Sequence, residues 1–141
     1  RDLHSLRRRQ RQMCIRDRAI DFFLTLLNAP IPHIAVENPI PHKYARKKIG
    51  RPTQYIQPYE FGEPVSKKTG LWLKNLPLLK PTKIIPPEKV KQSIWLEPPS
   101  SERWKNRSRT FKGIAEAMAE QWGAFLHKCY SKKGKYDGKG G

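Results

Sequence analysis

Acidic residues are scarce in this chain of 141 residues, which has 12 Asp and Glu against 29 Lys and Arg and therefore a formal net charge of +17 at pH 7. Only two cysteines are present, Cys14 and Cys129, and their separation supports neither a disulfide framework nor a zinc site. No apolar run approaches the roughly 18 to 20 residues of a membrane span, and residues 1–18 lack the apolar block of a secretory signal. The sequence thus predicts no membrane and no metal, and it fits a reducing, cytoplasmic compartment.

The excess of positive charge favours nucleic acid as the partner. Ribosomal proteins, binders of anionic membranes and ordinary basic enzymes share this property, so charge alone does not choose among them. The charge is uneven: residues 1–18 carry +5 and residues 128–141 carry +4, which leaves 17 − 5 − 4 = +8 for the rest of the chain. Residues 128–141 are rich in Gly and Lys and are predicted to form a disordered tail.

Proline is missing from both ends of the chain, because all thirteen prolines fall within residues 30–99. Since Pro removes a backbone donor and breaks helices, residues 30–99 are predicted to consist mostly of loops and short strands. The flanking stretches 19–28 and 110–127 show helical spacing of apolar residues and predict helices. The predicted apolar faces consist of Ile20, Phe23, Leu24 and Leu27 in the first helix and of Ile114, Ala117, Met118, Gln121, Trp122 and Phe125 in the second.

Short apolar runs predict the strands. The runs "HIAVEN" (33–38), "TGLWLKNL" (69–76) and "PTKIIP" (81–86) are the main candidates, and "QYIQP" (54–58) is a weaker one. A helix, a short turn and a strand make half of an α/β unit, which predicts an α/β fold. Residues 86–109 are predicted to be a proline-rich excursion that ends in the basic patch "ERWKNRSR".

Glu37-Asn38-Pro39 is the sharpest chemical feature of the sequence. An acid that follows the apolar run "IAV" is predicted to lie at the rim of the sheet, where open α/β sheets bind their ligands. There it could share a proton with a ring nitrogen, while the fixed φ of Pro39 stiffens the backbone beyond it. The alternative is that Glu37 only caps a loop or pairs with a nearby Lys.

Three blocks of the chain resemble the C-terminal half of a phage-type DNA cytosine methyltransferase-like family. They are "FFLTLLNAPIPHIAVENPIPHKYARKKIGRPTQYIQPYEFGEP", "SKKTGLWLKNLPLLKPT" and "SRTFKGIAEAMAEQW". The resemblance implies that residues 19–127 are part of a catalytic domain with a Rossmann-like, AdoMet-dependent methyltransferase sheet, loop-rich and proline-rich. It also implies S-adenosyl-L-methionine as cofactor, DNA as partner and the cytoplasm of a phage-infected or prophage-bearing bacterium as location.

The same resemblance implies roles for individual residues. Glu37 would contact the ring nitrogen and exocyclic amine of a flipped base, and Asn38 would orient it, with Pro39 where the class usually has Val. The class also uses a Pro-Cys nucleophile and a Gly-rich loop that holds AdoMet. Neither Cys14 nor Cys129 follows a proline, so the nucleophile and most of the cofactor site are expected to lie upstream of the residues present here.

Basic residues near the Glu-Asn-Pro segment are candidates for DNA contact, because an extruded base requires that its phosphates be held. The alternative is that they form an ordinary solvated surface. Lys67 and Lys68 come directly before the strand candidate "TGLWLKNL" (69–76), and Arg107 and Arg109 lie at the end of residues 86–109. Tyr44 is a further candidate, because its ring could support the base stack that the extruded base leaves. The basic candidates are Lys43, Arg46, Lys47, Lys48, Arg51, Lys67, Lys68, Arg107 and Arg109.

Residues 1–18 contain "RQMCIRDR", which resembles translated sequencing-adapter DNA. They are therefore predicted to be an artefactual or disordered basic leader, although "RRRQRQ" could also act as an arm that contacts phosphates. Two alternatives to a cytosine-5-like methyltransferase stay open: a non-catalytic basic module that binds nucleic acid, and a methyltransferase that acts on another base.

Overall fold

The computed structural model of the chain describes residues 3–91, 100–101 and 110–133. The helices are α1 (Leu3–Leu27), α2 (Lys43–Ile49) and α3 (Lys112–Lys133). The strands are β1 (Ile34–Pro39), β2 (Gln54–Ile56) and β3 (Thr69–Lys74). Single-turn 3-10 helices form at Pro58–Glu60 and Pro87–Lys89 in the proline-rich connections. The described residues thus form a mixed α/β structure.

The described strands form one sheet in the order β1-β3-β2, and both pairings are antiparallel. The α/β prediction is confirmed at this level, whereas a Rossmann-like sheet is not confirmed. Because the paired strands run in opposite directions, their carboxyl ends do not meet at one common edge. Pro39 ends β1 at the margin of the sheet, a position where its missing N–H costs no interior ladder bond.

Three of the four predicted strands are present, and the fourth prediction is wrong. Residues 81–86 form only an isolated bridge between Lys83 and Phe61. Pro81 and Pro86 interrupt the ladder on either side, and Ile84 is 68% exposed, so its apolar side chain does not enter a sheet interior. The short run at residues 54–58, the weaker candidate, does form β2.

One face of the sheet packs against α3, and we call it the α3 face. Residues that stand opposite one another in paired strands have their side chains on the same face, so Leu71 of β3 shares this face with Gln54 and Glu37. Leu71 is fully buried, and burial of such a side chain stabilises a fold by about 1.5 to 3 kcal/mol. The core on this side consists of Ile56, Phe61, Leu71, Leu79, Ile114, Ala117 and Trp122.

The opposite face packs against α1 and α2, and we call it the α1/α2 face. Trp72 of β3 is buried here with Ile20 and Phe23 of α1 and Ile49 of α2. The rings of Phe23 and Trp72 meet edge to face, with centroids 4.9 Å apart and an interplanar angle of 78°. Trp72 thus belongs to the apolar cluster through which α1 and α2 pack on this face of the sheet.

The predicted apolar faces of α1 and α3 are confirmed, while both helices are longer than predicted. α1 begins at Leu3, so one helix runs through most of residues 1–18 and continues to Leu27, where Pro30 and Pro32 prevent its extension. α3 continues past residue 127 to Lys133, and residues 134–141 of the predicted tail lie outside the described part of the chain.

Two glutamines hold the segment that comes after β3. The Gln54 amide pairs with the backbone of Leu79: its Nε2 donates to the carbonyl oxygen at 2.6 Å, and the Leu79 N–H donates to its Oε1 at 2.8 Å. Gln121 of α3 makes the same pair with Lys80, at 2.8 Å in both directions. Residues 79 and 80 are therefore bonded to the sheet on one side and to α3 on the other.

Candidate functional site

A groove of about 340 Å³ lies between the C-terminal half of α1, the end of β1 and the start of α2. Its walls are mainly apolar, and its polar side chains come from α1, β1 and α2 with its N-cap. An apolar recess with a few polar groups is the usual form of a site for a small or planar group. The apolar lining includes Ile20, Phe22, Phe23, Leu26, Val36, Ala45 and Ile49, and the polar lining comprises Arg16, Glu37, Asn38, His42 and Tyr44.

Glu37, Asn38 and Pro39 form the last three residues of β1. Asn38 stands opposite Gly70 and is half-buried, so it lies on the α1/α2 face and borders the groove. Glu37 stands opposite Leu71, and the strand alternation therefore directs its side chain to the α3 face, although the residue also lines the groove. The pleat thus directs Asn38, rather than Glu37, towards the groove.

The side chain of Glu37 is exposed, and it makes no hydrogen bond or ion pair with any other residue that the structure describes. Its predicted pairing with a nearby Lys is therefore not observed in this part of the chain. Pro39 is also exposed. The three residues thus lie together at the end of β1, but Asn38 is on the α1/α2 face and Glu37 is on the α3 face.

α2 presents most of the predicted DNA-binding residues within two helical turns. Lys43, Arg46, Lys47 and Lys48 are all exposed, and Arg51 lies just beyond the helix and is exposed too. The helix begins after His42, whose Nδ1 accepts from the backbone N–H of Tyr44 at 3.4 Å. It is fixed to the sheet by the buried Ile49 and the half-buried Ala45. The seven residues of α2 thus give the helix a basic outer face and an apolar inner face.

Asp17 of α1 contacts this basic surface, which the sequence did not indicate. The Tyr44 hydroxyl donates to Asp17 Oδ1 at 3.0 Å, and Lys48 Nζ donates to the same oxygen at 3.2 Å. The hydrogen bonds from Lys48 and then Tyr44 hold the pKa of the Asp17 carboxyl below its usual range. The contact with Tyr44, and then that with Asp17, raises the pKa of Lys48 above its usual range.

Lys67 and Lys68, which precede β3, are directed to opposite faces. Lys67 Nζ lies 5.7 Å from the ring centroid of Phe111 beside α3, and its backbone N–H donates to Gln57 Oε1 at 3.0 Å. Lys68 Nζ lies 4.6 Å from the ring centroid of Tyr55. Only Lys68 is therefore on the same side as α2. The other two candidates, Arg107 and Arg109, lie outside the described residues.

The connection from β1 to α2 does not fit a cofactor loop of the kind that holds AdoMet. Such a loop needs glycine between a strand and a helix so that the backbone can approach the ligand. The connection from β1 to α2 consists of Ile40, Pro41 and His42. Within the ranges 3–91, 100–101 and 110–133, no group of three or more His, Cys, Asp or Glu is arranged to hold a metal ion.

In that same part of the chain, no helix has both the length and the apolar character that crossing a membrane requires. Comparison with models of known protein families, with curated proteins and with solved structures gave no match. A functional assignment therefore rests on the geometry of the groove and of the basic helix.

Proposed function

We propose that this protein binds DNA through the exposed basic side of α2. The observation that carries the proposal is the cluster of exposed basic side chains on α2. Between Glu37 and Glu60 the sequence has no Asp or Glu, and Lys43, Arg46 and Lys47 lie exposed on one short helix. Side chains of this kind neutralise backbone phosphates and release condensed counterions.

The rigid seating of α2 supports the same proposal. Ile49 is 7% exposed and belongs to the same buried apolar cluster as Trp72, while the lysines and the arginine of α2 are exposed. A fixed row of cations loses less conformational entropy on binding than cations on an unstructured loop. Lys48 is the exception within the row, since its ammonium is already paired with the Asp17 carboxylate at 3.2 Å.

The test is the salt dependence of binding to a random-sequence duplex of about 20 base pairs, measured by fluorescence anisotropy. We expect the triple substitution of Lys43, Arg46 and Lys47 to Gln to weaken binding at least about tenfold near 0.1 M salt. The slope of log K against log salt should fall by about one for each phosphate that the variant no longer neutralises.

The control neutralises three exposed lysines elsewhere, Lys80, Lys89 and Lys128, which changes the net charge equally. If binding depends only on net charge, both triple variants lose the same affinity. Equal losses, or no binding by the wild-type protein, would contradict an interface at α2.

We further propose that this DNA-binding surface belongs to a cytosine-5-like DNA methyltransferase that transfers a methyl group from AdoMet to a flipped base. The three sequence blocks motivate this second proposal, together with the position of Asn38 at the margin of an apolar groove beside α2. Because the strand pleat directs Asn38 towards the groove, Asn38 would contact the base directly. Glu37, on the other face, would have to reach around the margin of β1 to do so.

Two observations test the methyltransferase proposal. The source gene, read upstream of these residues, should encode a Gly-rich strand–turn–helix and a Pro-Cys pair; an unrelated gene there would refute it. In the complete enzyme, Asn38→Ala and Glu37→Gln should each lower methyl transfer to a duplex while leaving duplex affinity within about twofold. The reason is that these two residues would contact the base, whereas most of the binding would come from contacts with the phosphates. Loss of affinity without loss of turnover would contradict this assignment.

A further inference from the structure

Tyr55 is an exposed aromatic residue on the same side of the sheet as α2. It stands opposite Gly70 of β3, which in turn stands opposite Asn38 of β1, so all three lie in one row on the α1/α2 face. Tyr55 is 39% exposed, although it lies on the face of the sheet that packs against α1 and α2. The Tyr55 side chain is therefore accessible to solvent on the face of the sheet against which α2 packs.

The connection from α2 to β2 joins the basic helix to the strand that carries Tyr55, and part of it lies over Gly70. A Cβ on Gly70 would be 3.1 Å from Pro52 Cβ and 3.0 Å from Trp72 Cζ3, so Pro52 lies directly over the middle strand. Pro52 belongs to the connection that leads from α2 to β2, which also contains the exposed Arg51. Along this face the chain thus passes from the basic helix through Arg51 to the ring of Tyr55.

The surroundings of the ring are positive. Lys68 Nζ lies over the ring at 4.6 Å from its centroid, and Lys68 is exposed. A cation over an exposed ring is a weak contact, and a nucleobase stacked on an aromatic ring is a stronger one. A base can therefore replace the ammonium on the ring, and the ammonium, on its flexible stem, can move to an adjacent phosphate.

We propose that Tyr55 is a stacking platform for an unpaired nucleobase, with Lys68 and Arg51 contacting the phosphates on either side of it. The ligand class is single-stranded nucleic acid, because only an unpaired base offers its flat face to a ring outside a groove. This inference rests on the proposed DNA-binding function and extends the interface from α2 across the sheet to β2.

The experiment compares two oligonucleotides of equal length, a single-stranded oligothymidine and an abasic oligomer with the same phosphates. For the oligothymidine, we expect Tyr55→Ala to weaken binding roughly 5- to 100-fold and Tyr55→Phe to retain most of the affinity, since stacking needs the ring and not the hydroxyl. For the abasic oligomer, Tyr55→Ala should bind as the wild-type protein does. Tyr130→Ala, which removes an exposed tyrosine from α3, is the matched control and should leave both affinities unchanged.

The outcomes separate this inference from the function on which it rests. If Tyr55→Ala binds oligothymidine as tightly as wild type, or loses equal affinity for both oligomers, the platform is refuted even where α2 proves to bind duplex DNA. If wild type binds neither duplex nor single strand, the DNA-binding proposal fails first. Urea unfolding of each variant identifies a loss that comes from the fold. If Tyr55→Ala is unstable, Tyr55→Leu, which keeps apolar bulk but has no aromatic face, takes its place: it should weaken oligothymidine binding and spare the abasic oligomer, and unchanged oligothymidine affinity refutes the platform.

Discussion

At the scale of single residues, Gly113 determines how closely α3 approaches the rest of the molecule. It lies in the first turn of the helix, and a Cβ placed there would collide with the carbonyl oxygen of Phe61 and lie 3.3 Å from the Phe61 Cβ. Phe61 is buried at 4% exposure and belongs to the core under α3. The missing side chain of Gly113 thus lets the helix rest directly on the backbone at Phe61.

We predict that Gly113→Ala lowers the free energy of unfolding by at least about 2 kcal/mol, because a backbone atom cannot move aside as a flexible side chain can. Gly123 in the same helix is the control, since nothing lies within 4 Å of a Cβ built there. Gly123→Ala should stabilise the protein by about 0.5 to 1 kcal/mol through helix propensity and a less flexible unfolded chain. Urea unfolding followed by circular dichroism measures both, and equal effects of the same sign would contradict the contact.

At the scale of elements, the segment after β3 is held by side chains that act like a neighbouring strand. Gln54 and Gln121 each offer one donor and one acceptor to a single residue of the segment, Leu79 and Lys80 respectively. An amide side chain is suited to this because it has the same donor and acceptor groups as a peptide unit. The segment thereby obtains sheet-like bonding without being part of the sheet.

We predict that Gln54→Ala destabilises the protein by about 1 to 3 kcal/mol, because the backbone groups of the buried Leu79 lose both partners. Gln121→Ala should cost less, about 0.5 to 1.5 kcal/mol, since its bonds to Lys80 are exposed and water replaces them. Glu120→Ala, an exposed change one residue away, should stay within about 0.5 kcal/mol. Thermal unfolding of the three variants would contradict this order if Glu120→Ala were as costly as Gln54→Ala.

The elements that could be predicted from the sequence are those with a strong local signal. The helical spacing from Ile20 to Leu27 and from Ile114 to Phe125 predicted the correct apolar faces, because those faces pack against the sheet. The run at 81–86 also contains adjacent apolar residues but lies between two prolines and is largely exposed. Apolar content alone could not show this, since strand formation depends on partners that are distant in sequence.

The candidate site was predictable only in part, for the same reason. The basic residues of α2 were visible as a cluster in the sequence. Their relation to Asp17, and the relation of Lys68 to Tyr55, depend on which helix packs on which face and on strand register. The alternation that separates Asn38 from Glu37 also depends on register with β3, and a shift of one residue would have exchanged them.

At the scale of the whole molecule, the charge acts on folding and on binding in opposite directions. A net charge of +17 on 141 residues produces self-repulsion in the compact state, and salt screens it. The same salt competes with the protein for DNA phosphates. Fold stability and DNA affinity are therefore expected to respond to salt with opposite signs.

We predict that raising NaCl from about 0.05 M to about 0.3 M increases the thermal midpoint of unfolding by a few degrees while it weakens duplex binding by at least about tenfold. Differential scanning fluorimetry and anisotropy titrations in identical buffers measure the two quantities. A sucrose series, which strengthens burial without screening charge, should raise the midpoint and leave the affinity nearly unchanged. A midpoint that falls with NaCl would mean that attractive ion pairs outweigh the repulsion.

The position of α3 in the chain has a consequence for biosynthesis. The strands that form the α3 face are complete at Lys74, but the helix that covers Ile56 and Leu71 begins only at Lys112. While the ribosome adds residues 75–111, the apolar α3 face of the sheet has no helix to cover it. We therefore expect the growing polypeptide to be most prone to aggregation, and most dependent on chaperones, until α3 has left the ribosomal exit tunnel.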